Sequence, residues 1–163
     1  MTLNVGNKVV YPSQGPCVIG GVVKKIVGGT PVSFYQLAVL DDKGGELFVP
    51  IDKVSALGIR QLLEKSEIPN LLGQLRKATA AATNWKQRAM DNVKLLASGS
   101  AFDLARVVES LTAANATKAL SPRERETLDR ARRILICEIS EVMGETKSAA
   151  AKQLDQALQG NTQ

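Results

Sequence analysis

Hydrophobic residues in the first 60 positions form short runs that are rich in β-branched and aromatic side chains. The runs cover residues 9–11, 17–19, 22–23, 34–40 and 47–49. Glycine, proline, serine and aspartate are frequent between them, at 12–15, 27–30 and 41–45, which predicts turns. Short strands at this spacing, with no helical period between them, predict a small antiparallel β-barrel of the SH3-like type.

After Gly58 the apolar residues recur every three or four positions, which predicts helices. These helices cover about 68–77, 84–98, a third that starts at Ser100, 121–144 and 146–159. The small and polar segment 78–83 is predicted to separate the first helix from the second. Short loops between helices predict a compact antiparallel bundle. The predicted fold class is therefore α+β, with a β domain at 1–62 and about five helices at 63–163.

Local signals mark the ends of several predicted helices. The start of the fourth helix is the clearest, because the Ser121 hydroxyl can cap it, Pro122 fits its first turn and Glu124 can reach back to the cap. Gly99 and Gly144 predict where the second and fourth helices end. The apolar period of the second helix predicts that its core face consists of Trp85, Ala89, Val93 and Leu96.

The chain has no histidine, which excludes the common Ser-His-Asp, Cys-His and HExxH sites. Its glycine-rich runs match neither GK[ST] nor GxGxxG, and no pair of carboxylates stands out. We therefore expect no catalytic residue, cofactor or metal. Cys17 and Cys137 form no CxxC motif and are predicted to be reduced core residues. With no 18-residue apolar stretch and no secretion signal, we expect a cytoplasmic protein without membrane contact.

The formal net charge of +5 is concentrated in the helical half. Residues 76–94 hold five basic side chains against one acidic one, and residues 118–133 hold six against three. This distribution favours an anionic partner. Trp85, the only tryptophan, lies in the first basic stretch. A single helical tryptophan usually fills a core, but one flanked by Lys86 and Arg88 can also stack on a base or enter a minor groove.

Other basic residues have a plain alternative explanation. On the fourth helix, Glu126–Arg130, Arg125–Asp129 and Asp129–Arg133 are spaced as i,i+4 pairs, which is typical of a solvated, self-compensated face. Arg123 and Arg125, near the start of that helix, are the better candidates for free cations. Lys24 and Lys25 precede a predicted turn, where solubilising charge is common.

Several motifs, taken in order, resemble those of a known family. In the first half they are Val5-Gly6-Asn7-Lys8-Val9-Val10-Tyr11-Pro12, Gly15, Phe34-Tyr35, Val49-Pro50 and Gly58-Ile59-Arg60. In the second half they are Asn84-Trp85, Arg88, Leu96-Ala97-Ser98-Gly99, residues 105–111, Leu120-Ser121, Glu124 and residues 131–135. Over about residues 3–160 the chain resembles CarD/CdnL-type bacterial transcription regulators. Transcription-repair coupling factors share the first set alone.

The resemblance implies a Tudor-like barrel that binds the β-subunit lobe of RNA polymerase. It also implies a helical domain that contacts promoter DNA, without sequence specificity, at the upstream edge of the melted region. There the tryptophan would wedge into the minor groove and slow collapse of the bubble. The implied DNA contacts are Trp85, Lys86, Arg88, Arg123 and Arg125. The implied polymerase contacts are Lys24, Lys25, Leu47, Phe48, Val49 and Pro50.

Two positions depart from the family pattern: Met90 stands where relatives often carry a basic residue, and Phe48 stands where some relatives carry arginine. We expect the protein to act as a monomer. A second hypothesis, from another class, is an adaptor that binds one protein with its barrel and another with its bundle, without DNA. Burial of Trp85 would favour the adaptor, and a deep pocket lined by paired carboxylates would favour an enzyme.

Overall fold

A computed structural model describes residues 3–77 and 84–160. Its strands are β1 (Lys8–Tyr11), β2 (Gly15–Val27), β3 (Thr30–Val39), β4 (Glu46–Pro50) and β5 (Arg60–Gln61). Its helices are α1 (Ile68–Arg76), α2 (Trp85–Ser98), α3 (Ala101–Thr117), α4 (Pro122–Met143) and α5 (Lys147–Gln159). The predicted α+β class, a small antiparallel β module followed by five helices, is confirmed. The predicted helix-breaking segment 78–83 lies outside the described residues.

The strands form one antiparallel sheet in the order β4-β3-β2-β1-β5 around a single hydrophobic core. Residues 17–19 and 22–23 were predicted as separate strands, but they belong to one strand, β2. An irregularity in the pairing with β3 between Ile19 and Gly21 interrupts its apolar alternation, which makes one strand resemble two. Gly28 and Gly29 both have positive φ, which suits a tight two-residue turn between β2 and β3. Strand β5 was not predicted, since two residues carry no periodic pattern.

The predicted capping residues are confirmed at the start of α3 and α4 and at the end of α2 and α4. The Ser100, Ser121 and Thr146 hydroxyls accept hydrogen bonds from the amides of the first turns of α3, α4 and α5. Gly99 and Gly144 adopt the left-handed conformation directly after α2 and α4. The bundle core includes Leu71, Leu75, Leu104, Val107, Val108, Leu111, Ala131, Leu135, Ile139, Ala150, Leu154 and Ala157.

The predicted core face of α2 is wrong. Trp85 and Val93 are each 62% exposed, whereas Asn92 is buried. Leu96, a member of the predicted face, is partly buried against the bundle core together with Leu95. The helix lies at the margin of the bundle, so packing against α3 buries only a narrow strip, and the apolar period does not identify that strip.

A buried ion pair joins the β module to α4. The Arg60 Nη1 and Nη2 atoms donate to the two carboxylate oxygens of Glu138 at 2.8 and 2.7 Å. The Glu138 side chain is 1% exposed, and its Oε2 also accepts from the Leu63 amide at 2.8 Å. Arg60 Nε donates to the Gly99 carbonyl at 2.7 Å, so one guanidinium connects β5, α4 and the end of α2.

Further contacts extend this seam between the two modules. Lys8 of β1 pairs with Glu141 of α4 at 2.7 Å. Lys147 of α5 donates to Asp42 and to the Leu40 carbonyl, and the hydrogen bond to Asp42 raises the pKa of Lys147. A Cβ added at Gly99 would lie 2.9 Å from a side-chain carbon of Pro12, so this glycine ends α2 and also permits close packing of the modules. The modules therefore have one defined orientation.

Both cysteines are free and buried, as predicted, and they lie on the two elements that meet at the seam. Burial raises the pKa of Cys17 on β2 to about 12 and that of Cys137 on α4 to about 11. The Cys137 thiol also raises the pKa of Cys17. At neutral pH both stay protonated and are therefore poor nucleophiles.

We expect Glu138→Ala to lower the free energy of unfolding by about 3 kcal/mol, because it leaves the partly buried charge of Arg60 uncompensated and the Leu63 amide without its acceptor. Glu126→Ala is the matched control, since Glu126 lies on the same helix with a 77% exposed side chain, 4.0 Å from Arg130. Its effect should stay within about 0.5 kcal/mol. Urea unfolding followed by circular dichroism measures both changes, and equal losses would contradict the seam's importance.

Candidate nucleic-acid interface

Trp85 is the first residue of α2, and its position follows from the cap before it. The Asn84 Oδ1 atom accepts a hydrogen bond from the Lys86 amide at 2.9 Å, which starts the helix at Trp85. The indole is 62% exposed, so the alternative that Trp85 fills the bundle core is wrong. The Lys86 ammonium lies 5.8 Å from the ring centroid. An exposed aromatic ring and a cation thus share one helix end.

Arg88, one turn further along α2, is held by Glu124 in the first turn of α4. Its Nε and Nη2 atoms donate to the two carboxylate oxygens at 2.9 and 3.0 Å. The side chains are only 15% and 11% exposed, and the hydrogen bonds to Glu124 raise the pKa of Arg88. Most of the charge of this predicted phosphate contact is therefore compensated inside the protein. The pair fixes the start of α2 against the start of α4.

The prediction that Glu124 reaches back to cap its own helix is wrong. Ser121 caps α4 by accepting from the Glu124 amide at 3.2 Å, but the Glu124 side chain binds Arg88. The carboxylate gains more from a bidentate guanidinium than from a single neutral amide.

Arg123 and Arg125 flank Glu124 in sequence, and both are exposed. Within residues 3–77 and 84–160 neither makes an ion pair. Of the three i,i+4 pairs proposed for α4, Glu126–Arg130 is present at 4.0 Å. The Arg133 Nε atom lies 3.7 Å from Asp41 Oδ2 of the β module. The predicted Asp129–Arg133 pair is therefore wrong. The structure thus brings Arg123 and Arg125 to the same end of the bundle as Trp85 and Lys86, connected through the Arg88–Glu124 pair.

An open cleft of about 590 Å³ lies beside Trp85, between the start of α2 and the corner where α3 passes into α4. It is lined by Trp85, Arg88, Ala114, Thr117, Lys118, Ala119, Leu120, Ser121 and Glu124. The sequence does not predict this cleft. Lys118 belongs to a basic stretch, but the short connection after α3 contains no motif that marks a binding site.

The predicted polymerase contacts occupy two faces of the sheet. The Lys25 ammonium lies 3.9 Å from the ring centroid of Phe48 and 5.8 Å from that of Phe34, so Lys25 and Phe48 form one continuous surface. Phe48 is 41% exposed on β4, the strand at the sheet edge. Val49 is buried, and Leu47 packs against the same core. Pro50, at the end of β4, is partly buried. Lys24 is exposed, but it directly precedes Lys25 on β2, so its side chain points to the opposite face of the sheet.

Among the described residues, no group of three or more histidine, cysteine, aspartate or glutamate side chains is placed to hold a metal ion. The same residues include no helix with the length and apolar character needed to cross a membrane.

Comparison with known proteins identifies the class to which this fold and site belong. Residues 3–63 match the family model of the CarD-like/TRCF RID domain, and residues 70–155 match that of the CarD C-terminal domain. The chain therefore belongs to the CarD-like family of transcription-related proteins. The resemblance inferred from the motifs is confirmed.

Proteins that are similar to this chain include one from Bacillus subtilis and one from Myxococcus xanthus. One is YdeB of Bacillus subtilis (strain 168), named as a candidate transcription factor, which is 24% identical over 144 residues. The alignment covers 88% of this chain and 94% of YdeB. The other is the 72-residue N-terminal domain of Myxococcus xanthus CarD, whose solution NMR structure is 37% identical in sequence. That match covers 37% of this chain and 79% of the domain, with a TM-score of 0.32.

A double-mutant cycle tests the Arg88–Glu124 pair. We expect Arg88→Ala and Glu124→Ala to be non-additive, with a coupling energy of about 1–3 kcal/mol in the free energy of unfolding, because either truncation already removes the shared contact. The control cycle pairs Glu124→Ala with Arg125→Ala, whose exposed side chain should give additive effects within about 0.5 kcal/mol. Additivity in the first cycle would contradict the pairing. Urea denaturation of the four proteins in each cycle supplies the values.

Proposed function

We propose that this protein docks on RNA polymerase through its β module and stabilises the open promoter complex by placing Trp85 at the upstream edge of melted DNA. The observation that carries the proposal is the 62% exposure of a tryptophan at the basic end of the helical bundle. Covering this indole with a partner would be favourable, because apolar surface gains free energy when it is removed from water.

The chemistry of the helical end suits DNA. Minor-groove binders insert large apolar side chains between base steps and place cations near the flanking phosphates. Trp85 supplies the wedge, and the exposed side chains of Lys86, Arg123 and Arg125 supply the cations. A few phosphate contacts give weak, salt-sensitive binding that does not depend on sequence. Arg88 serves chiefly to orient the first turn of α2, since Glu124 already holds its guanidinium.

The sheet edge is suited to a protein partner. Membership of the CarD-like/TRCF RID family supports a partner in the transcription machinery, and we assign the β lobe of the polymerase to this surface. Strand β4 carries the aromatic ring of Phe48, and Lys25 lies against that ring as a cation–π contact. Aromatic residues such as phenylalanine are enriched in protein interfaces. A polymerase partner also implies a cytoplasmic location.

The proposed effect needs only a small difference in affinity between two states of DNA. A ligand shifts an equilibrium by its differential affinity, so a wedge that fits melted DNA better than closed duplex favours the open state. About 1–2 kcal/mol would change open-complex occupancy roughly 5- to 30-fold on an unstable promoter. Docking on polymerase supplies the location, because the DNA contacts carry no sequence information.

The adaptor hypothesis remains the second candidate. It needs a protein partner for the helical end instead of DNA. The exposure of Trp85 beside Lys86 removes the main observation that would have favoured it.

We expect the wild-type protein to lengthen the lifetime of an open complex on an intrinsically unstable promoter, and Trp85→Ala to lose most of that gain. The reason is that truncation removes the wedge while the polymerase-facing strand stays intact. The measurement is the decay of heparin-challenged complexes formed with cognate polymerase holoenzyme, after circular dichroism has shown that the variant is folded.

The matched control is Val93→Ala, since Val93 is equally exposed and lies about two turns further along α2. It should keep the wild-type lifetime. If the wild type itself leaves the lifetime unchanged, the proposed function is wrong. If both variants bind polymerase and behave alike, Trp85 is not the wedge.

We expect Phe48→Ala and Lys25→Ala each to weaken binding to core RNA polymerase roughly 5- to 30-fold, which corresponds to about 1–2 kcal/mol of lost contact. Lys24→Ala removes an adjacent lysine whose side chain points to the other face, so its effect should be less than about threefold. Biolayer interferometry on immobilised polymerase measures the three affinities. An equal loss for both lysines would point to nonspecific charge attraction instead of a docked surface.

A further inference from the structure

The cleft beside Trp85 has the features of a ligand site, and it is separate from the exposed outer face of the helix. Its volume of about 590 Å³ lies within the range of small-molecule pockets. Ala114, Ala119 and Leu120 supply apolar surface on one side. Thr117, Lys118 and Ser121 supply hydroxyl and ammonium groups at the same opening.

Trp85 stands over this cleft for a geometric reason. Asn92 follows it by seven residues, about two helical turns, and is buried on the side of α2 that faces the bundle. Trp85 is therefore on nearly the same side of the helix, yet it is 62% exposed. At Trp85 the open cleft, which this residue lines, takes the place of packed side chains.

Arg88 offers a fixed donor group on the cleft wall. Its Nε and Nη2 atoms are occupied by Glu124, whereas the two N–H groups of Nη1 take no part in that pair. The bidentate contact immobilises the guanidinium and neutralises the carboxylate, so the cleft does not repel an anion strongly. Lys118 adds an exposed cation at the same opening.

The geometry points to a single unstacked nucleotide as the occupant of this cleft. Its base would stack on Trp85 against the apolar wall, and its phosphate would lie near Lys118 and the free edge of Arg88. A base that is still paired in a duplex is stacked between its neighbours, so it must leave the helix before it can stack on an indole in a cleft. The inference rests on the proposed function, since the edge of a melted region supplies unpaired nucleotides. It also explains the preference for open DNA, because only the open state offers a base that needs no extrusion.

Tryptophan fluorescence tests this directly, since Trp85 is the only tryptophan and reports its own surroundings. The full chain is titrated with a forked DNA, its blunt-ended duplex counterpart, the same fork with an abasic site at the first unpaired position, and free deoxyadenosine monophosphate. We expect the fork to quench emission with an affinity about tenfold higher than the duplex, a gain typical of stacking one base. The abasic site should remove that gain.

Two matched variants separate filling of the cleft from damage to the fold. Ala119 is exposed and lines the cleft, so Ala119→Leu should abolish the preference for the fork while leaving binding of blunt duplex unchanged. Ala116→Leu adds the same side chain at an exposed position that does not line the cleft, and it should keep the preference.

The outcomes are distinct. Equal binding of fork, abasic fork and duplex, or an unaffected Ala119→Leu, would overturn the nucleotide site. The wedge function would still stand if Trp85→Ala shortens the open-complex lifetime. If the free mononucleotide binds with the same affinity as the fork, the cleft is still a nucleotide site, but its ligand is a free nucleotide and not a DNA strand. Loss of both the DNA-induced quenching and the lifetime effect would reject the proposed function itself.

Discussion

Helix α4 carries two nearly buried carboxylates, and each holds an arginine from another part of the molecule. Glu124 binds Arg88 of α2, and Glu138 binds Arg60 of the β module. The two glutamates are 14 residues apart, roughly 21 Å along one side of the helix at about 1.5 Å per residue. Because removing one partner of a buried pair leaves an uncompensated charge, each pair strongly favours a single arrangement. The positions of α2 and of the sheet both depend on this helix.

Basic residues of the same type have different structural roles in this arrangement. Arg60 and Arg88 are held by carboxylates and set the geometry, whereas Arg123 and Arg125 stay exposed at the helical end. Lysines divide in the same way: Lys147 binds across the seam, and Lys25 lies against an aromatic ring at the sheet edge. The charge available for partners is therefore smaller than the composition suggests.

Local chemistry explains how much of the fold was predictable from sequence. Ser121 and Gly144 act within one helical turn, so their neighbours in the chain suffice to recognise them. The partner of Glu138 lies 78 residues away, and no local pattern reveals it. The candidate site divides likewise. Composition pointed to Trp85, but the apolar period placed it in the core, and the cleft beside it arises only from packing of α2 against the α3–α4 corner.

The connection between β5 and α1, residues 62–67, is held along its length. Glu138 accepts from the Leu63 amide, and Glu64 and Glu67 cap one another reciprocally. A segment bound in this way has little slack, unlike a flexible linker that samples many separations. Once the sheet is anchored on a partner, the basic end of the bundle is presented at a high effective concentration to whatever lies opposite it. Neither surface then needs high affinity alone, and the complex can dissociate quickly when one contact is lost.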